Sequence, residues 1–181
     1  MRKITVLLCL SLLLLTGCTG KAELTFLEFR ETVANAEAIG FTADIRAEYS
    51  DKTVSFTVDC RKDAEGMTVE VTEPELIKGI RAHTDGESLR LEYDGAILDL
   101  GKLHDCGMSP MSALPLFVSA LRDAHMELTW EEDGMTAARL VPEDDMAITL
   151  WISENGEPVS AEITVEAQTL VFIEITNWEV T

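Results

Sequence analysis

From residue 41 onward, apolar side chains recur at every second position. In Phe41-Thr-Ala-Asp-Ile-Arg-Ala-Glu-Tyr49 the odd positions are apolar and the even ones polar, the pattern of a strand with one face on a core and one in water. The alternation continues through Val54, Phe56, Val58 and Cys60, through Met67, Val69 and Val71, and through Leu89, Leu91 and Tyr93. It resumes at Met126, Leu128 and Trp130, at Met146, Ile148, Leu150 and Ile152, and at Val159, Ala161, Ile163 and Val165. Between these runs lie Asp85-Gly86, Asp94-Gly95, Asp133-Gly134 and Asn155-Gly156, pairs that supply the positive φ angles tight hairpins require. About ten or eleven strands joined mostly by short turns predict an antiparallel meander with one wet face.

Two stretches follow a helical period instead. Phe26, Phe29, Val33 and Ala36 recur at three- and four-residue spacing, which predicts a helix from about Phe26 to Ile39. Thr25 with Glu28 forms a capping-box pattern, Leu24 and Phe29 stand where a hydrophobic staple would be, and Gly40 is the expected stop. In the middle of the chain, Met111, Leu114, Phe117, Val118 and Leu121 mark a second helix within 107–125. Pro110 and Pro115 place its regular start near Ser112 or near Pro115.

The amino terminus reads differently. Arg2 and Lys3 precede the uncharged, leucine-rich run Ile4 to Leu15, the layout of a secretory signal and too short for a membrane-spanning helix. The run ends in Leu15-Thr16-Gly17-Cys18, which resembles the lipobox of bacterial lipoproteins. That resemblance implies cleavage after Gly17, diacylglyceryl and palmitate-type acylation at Cys18, and anchorage on the extracytoplasmic face of the cell membrane. The expected organisation is a signal peptide at 1–17, the lipidated cysteine and a short tether at 18–24, and a single domain at 25–181. Six residues, Thr19 to Leu24, reach about 20 Å, so such a domain works close to its membrane.

Charge narrows the partners. Loss of Arg2 and Lys3 lowers the basic count from 14 to 12 against 33 acidic residues, a balance of −21. A surface that acidic argues against nucleic acid, whose binding needs cations set against phosphates, and against an electrostatic grip on anionic lipid. Cys9 leaves with the signal and Cys18 takes the lipid. Cys60 and Cys106 remain as a possible disulfide, permitted by the compartment.

Two stretches within this order of elements resemble the LolA/LolB/RseB superfamily of extracytoplasmic lipid- and lipoprotein-binding domains. One is Pro74-Glu-Leu-Ile77-Lys-Gly79-Ile80 followed by Asp85-Gly86-Glu-Ser-Leu89-Arg-Leu91-Glu-Tyr93-Asp-Gly95. The other is Leu150-Trp151-Ile152-Ser-Glu-Asn155-Gly156-Glu-Pro158-Val159. The resemblance implies an α+β fold: a curved, half-open antiparallel barrel whose concave side is covered by the N-terminal and central helices. It also implies a hydrophobic cavity for an acyl chain, or a surface for another lipoprotein. On the polar positions of their strands, Arg46 and Arg90 are expected to face solvent rather than lock a lid.

Enzyme signals are poor, and no cofactor or metal is expected. The chain has no nucleophile elbow, zinc-protease helix, phosphate loop or EF-hand loop. His104-Asp105-Cys106 has suitable residue types, but catalytic triads are assembled from separate segments. His83 and His125 lack a third ligand, and Glu131-Glu132-Asp133 and Glu143-Asp144-Asp145 read as hairpin ends in water. The functional candidate is apolar surface instead. Ile45, Tyr49, Phe56, Val58, Leu91, Tyr93, Trp130, Ile148 and Leu150 on the sheet would face Phe29, Val33, Leu114, Phe117 and Leu121 on the helices. Together they line a cavity or fill a core, since any helix-covered sheet needs such a stripe. Two readings follow: a tethered domain that binds a lipid or acylated protein, and an envelope adaptor that binds a partner protein through its surface.

Overall fold

A computed structural model describes residues 20–49, 52–103 and 109–181. Helix α1 (Lys21–Asn35) leads into β1 (Ile39–Glu48), β2 (Thr53–Asp63) and β3 (Gly66–Glu73). A single 3-10 turn (Glu75–Ile77) precedes β4 (Arg81–Thr84), β5 (Ser88–Tyr93) and β6 (Ala96–Lys102). Helix α2 (Pro110–Asp123) follows, and then β7 (His125–Glu132), β8 (Met135–Glu143), β9 (Met146–Ile152), β10 (Pro158–Val165) and β11 (Gln168–Val180). All eleven strands form one sheet in the order β6-β5-β4-β3-β2-β1-β11-β10-β9-β8-β7, and every pairing is antiparallel. The sheet is curved and left open, as the α+β expectation required.

This order is a meander with one long-range join. The first and last strands pair with each other at the centre, Ala43 opposite Ile175 and Ile45 opposite Ile173. Strands adjacent to the central helix in sequence, β6 and β7, therefore become the two edges. The connection between them carries α2 across the inner face of the sheet, against β1, β3 and β8. Helix α1 lies beside it, over β7 and β8.

The alternation is obeyed where it is regular. Ile39, Phe41, Ala43, Ile45 and Ala47 are all buried, while Asp44 and Arg46 on the other face are exposed. Bulges break it elsewhere. One between Met126 and Leu128 puts Leu128 and Trp130 on the outer face. Another between Pro158 and Ser160 buries Pro158 and leaves Val159 exposed. A bulge shifts every following side chain by one position and so reverses its face.

The helix boundaries also differ from the pattern. Helix α1 starts at Lys21 behind Gly20, with no side-chain cap, because buried Ala22 extends the stripe of Phe26, Phe29 and Val33 one turn upstream. Thr25 lies inside the helix, Leu24 is exposed, and Gly40 belongs to β1. The segment 18–24, expected as tether, is thus helical from Lys21 onward. Helix α2 begins at Pro110. Ser109 accepts the Ser112 amide at 3.2 Å while Ser112 Oγ accepts the Ser109 amide at 3.0 Å, a capping box with serine in the place of glutamate. Pro115 lies buried within it.

Arg30 ties the two helices together. Its Nε donates to the Leu121 carbonyl at 3.0 Å and a terminal nitrogen to the Ala124 carbonyl at 2.9 Å, filling acceptors that the end of α2 leaves open. The guanidinium also lies 4.7 Å from the centroid of Phe26. Burial lowers the Arg30 pKa, and Asp123 works against that fall. On the other side of α1, the Trp178 ring stands 6.0 Å from Phe29 and 5.4 Å from Phe41, joining the helix to β1 and β11.

Two changes test this architecture by urea unfolding. Arg30→Met should lower stability by about 2 kcal/mol through the two lost charge-assisted bonds. Gly66→Ala should cost about 2–4 kcal/mol: Gly66 has φ 137°, and a Cβ there runs into the Thr84 carbonyl. Gly86→Ala, at φ 99° but with open space around it, should cost only about 1 kcal/mol.

Candidate functional site: the sheet surfaces

The fourteen residues expected to line a cavity do not share one environment. Phe29, Val33, Ile45, Val58, Leu114, Phe117, Leu121, Ile148 and Leu150 are buried in one continuous apolar cluster on the inner face. Six of them, Val58, Leu114, Phe117, Leu121, Ile148 and Leu150, have 0% exposure. Side chains with no accessible surface touch no void that a water molecule could enter. Among the described residues, the middle of the space beneath α2, around these six, is therefore occupied by the protein's own side chains.

The other five lie at the margins. Phe56 and Leu91 are half-buried against the cluster. Tyr49 and Tyr93 are exposed at 39% and 49%. Trp130 is on the outer face, directly opposite Ala137, which is itself opposite Trp151. Both indole N–H groups donate to one carboxylate oxygen of Glu132, at 3.1 and 2.9 Å. These bonds, Trp151 first, hold the Glu132 pKa below the usual carboxylate range.

The inner stripe runs past the cover of the helices. Leu89 is fully buried, Leu91 is half-buried, and its cross-strand partner Leu98 is 59% exposed. On the opposite face of β6, Ile97 is 70% exposed. Tyr93 and Leu100 are also exposed. Tyr93 shares the inner face with Leu91 and Leu98, while the outer face of the hairpin is charged at Arg90, Glu92 and Asp99 apart from Ile97. Its turn is the Asp94-Gly95 pair read from sequence, with φ 50° and 78°. The pattern of β6 alone could not reveal this exposure, because it depends on where the helices end.

Open spaces among the described residues lie elsewhere. A groove of about 620 Å³ crosses the outer face, lined by strands β1, β2, β10 and β11. A smaller pocket of about 290 Å³ lies between α2 and the β2–β3 turn, with Lys62 and Arg122 among its lining. Burial and the neighbouring Arg122 charge lower the Lys62 pKa.

The remaining chemistry is sparse. Cys60 is buried in β2, and burial, then Asp59, pushes its thiol pKa up, which keeps it protonated and a poor nucleophile. Cys106, His104 and Asp105 lie outside the described residues, as does Cys18, so the possible Cys60–Cys106 bridge falls there too. His83 shares a 3.2 Å hydrogen bond with Thr68, and no group of three metal-ligating side chains occurs among the described residues. Arg46 and Arg90 are exposed, as expected. Among the described residues, no helix is long and apolar enough to cross a membrane.

No family model matches the chain, and no curated protein matches it either. Solved structures do resemble it. An uncharacterized conserved protein from Thermus thermophilus superposes with TM-score 0.51 at 11% identity, over 89% of this chain and 88% of the other. A LolA superfamily protein from Nitrosomonas europaea gives 0.50 at 12% identity, over 88% and 93%. A domain assigned to outer membrane lipoprotein sorting, from Vibrio parahaemolyticus, gives 0.50 at 9%, over 89% and 94%. Identities this low speak to architecture, and the architecture is plain: this chain has a LolA-like fold.

Proposed function

We propose that this chain is a lipid-anchored adaptor on the extracytoplasmic face of the membrane, and that it docks a partner protein on its β5–β6 hairpin. The observation that carries the reading is exposed apolar surface on this hairpin, with Leu98 and Tyr93 on its inner face and Ile97 on its outer face open to solvent. Contiguous apolar surface on a folded domain marks an interaction site. A protein partner can cover both faces of a hairpin, whereas an acyl chain lying along the inner stripe covers only one. The filled middle of the space beneath the helices supports the same choice. The overall charge of −21 after signal removal favours a partner with basic residues around an apolar centre.

A second reading, a bound acyl chain or lipidated protein, draws on the LolA-like fold and on the inner-face side chains Leu91, Tyr93 and Leu98. The acyl chain would lie on the uncovered end of the sheet.

The anchor is part of the proposal. Acylation at Cys18 would leave two residues, Thr19 and Gly20, before the first turn of α1, a reach of about 7 Å. The domain then sits against its own membrane and cannot shuttle.

Two experiments test these points. Cys18→Ala should abolish labelling by a palmitate analogue and move the protein out of the membrane fraction; persistent labelling would refute the anchor. A photo-crosslinking side chain placed at position 97, and separately at 98, should give protein adducts in cells from both positions. A lipid adduct from 98 with nothing from 97 would overturn the adaptor in favour of the acyl-chain reading.

A further inference from the structure

The outer face of the sheet, away from the helices, carries a row of side chains that the adaptor reading does not use. Trp151, Ser160, Glu174, Asp44, Thr57 and Glu73 stand directly opposite one another in register across β9, β10, β11, β1, β2 and β3. They line the groove of about 620 Å³. Five strand spacings span about 24 Å, the length of about seven residues of extended chain.

The chemistry of the groove is acidic and aromatic. Asp44 lies directly opposite Glu174, a cross-strand pair of like charges that destabilises a sheet. Asp44 is satisfied in part by the Thr57 hydroxyl, which donates to it at 2.6 Å. Glu162 lies on the neighbouring row, opposite Phe172. Among the described residues, the ion pairs employ other carboxylates, so Glu73, Glu162 and Glu174 face the groove without a cation. The single basic side chain in the lining, Arg46, has its guanidinium 4.3 Å from the Phe172 centroid and 3.6 Å from Glu48. One cation of the protein's own thus already occupies part of the aromatic floor. At the β9 end, the Trp151 ring is fixed by its bond to Glu132, which leaves a rigid aromatic surface.

We propose that this groove binds a basic, extended peptide segment of a partner protein, laid across the strands. Its Lys or Arg side chains meet Glu73, Glu162 and Glu174, and an apolar side chain packs on Trp151. Charge complementarity selects this occupant: an anionic segment meets repulsion from Glu174, Asp44 and Glu73, and an uncharged one leaves the Asp44–Glu174 pair uncompensated. The groove and the β5–β6 hairpin are separate surfaces, and neither requires the other.

The test uses the full chain in detergent and a labelled heptapeptide of alternating lysine and alanine, followed by fluorescence anisotropy at physiological salt. A glutamate–alanine peptide of the same length is the control probe. The double variant Glu162→Gln/Glu174→Gln should weaken lysine-peptide binding about tenfold, equivalent to ~1.4 kcal/mol. The charge-matched variant Glu28→Gln/Glu31→Gln, on the exposed side of α1, should change it less than about twofold. The proposal is overturned by absence of saturable binding, by equal loss in the two double variants, or by equal binding of the glutamate peptide.

Discussion

The pairing of β1 with β11 is the constraint from which the rest of the architecture follows. It brings residues 39–47 against 171–180, so the ends of the chain meet at the middle of the sheet and its centre is exiled to the edges. Strands β6 and β7 are then separated by the full width of the sheet, although the segment that joins them in sequence is short and, among the described residues, carries the one α-helix α2. That segment must cross the inner face, and an apolar α2 is the form of chain that can do so while satisfying its own backbone. Helix α1, which enters β1 directly, is placed over the β7–β8 end by the same join. Loop-closure entropy opposes such a distant pairing, and it persists because Ala43, Ile45 and Ala47 on β1 bury against Val171, Ile173 and Ile175.

The same geometry separates core from surface. Helices that reach β1, β3, β7 and β8 seal the middle of the inner face, where Leu114, Phe117 and Leu121 are buried in the same apolar cluster as Ile148 and Leu150. Towards β5 and β6 the burial fades, and the apolar stripe emerges at Leu91, Tyr93 and Leu98. On the other face, cross-strand rows bring carboxylates from distant segments side by side, Glu174 with Asp44, and set Ser160 beside Trp151. Function on this scaffold, as proposed, belongs to its two surfaces rather than to its interior.

Much of the fold was legible in the sequence, for reasons that can be named. Period-two alternation marked β1, β2, β3 and β9 because each has one face on the core and runs without a bulge through its alternating residues, the bulge of β3 at Thr72 falling after Val71. Asp94-Gly95 and Asp133-Gly134 adopt the positive φ values their residue types favour. The Glu166-Ala167 turn does the same, at 49° and 64°, without glycine or asparagine, and was not readable. The bulges were equally silent, and the one before Leu128 is why Trp130 points away from the cavity it was expected to line. Trp178 went unnoticed because it follows the bulge opposite Gly40–Thr42, where Asn177 has φ 54°. The candidate surfaces were least legible of all. Whether an apolar strand residue is core or interface depends on the length and placement of helices far away in sequence, and local pattern carries no record of that.

The central claim is that the middle of the space between sheet and helices is solid, so that ligands are met at the surface. Native mass spectrometry of the purified full-length protein tests it most directly. The account predicts the mass of the processed polypeptide with its own anchor and nothing more. A stoichiometric additional acyl mass, retained through exchange into fresh detergent and lost on Leu114→Trp within the sheet–helix space, would contradict it.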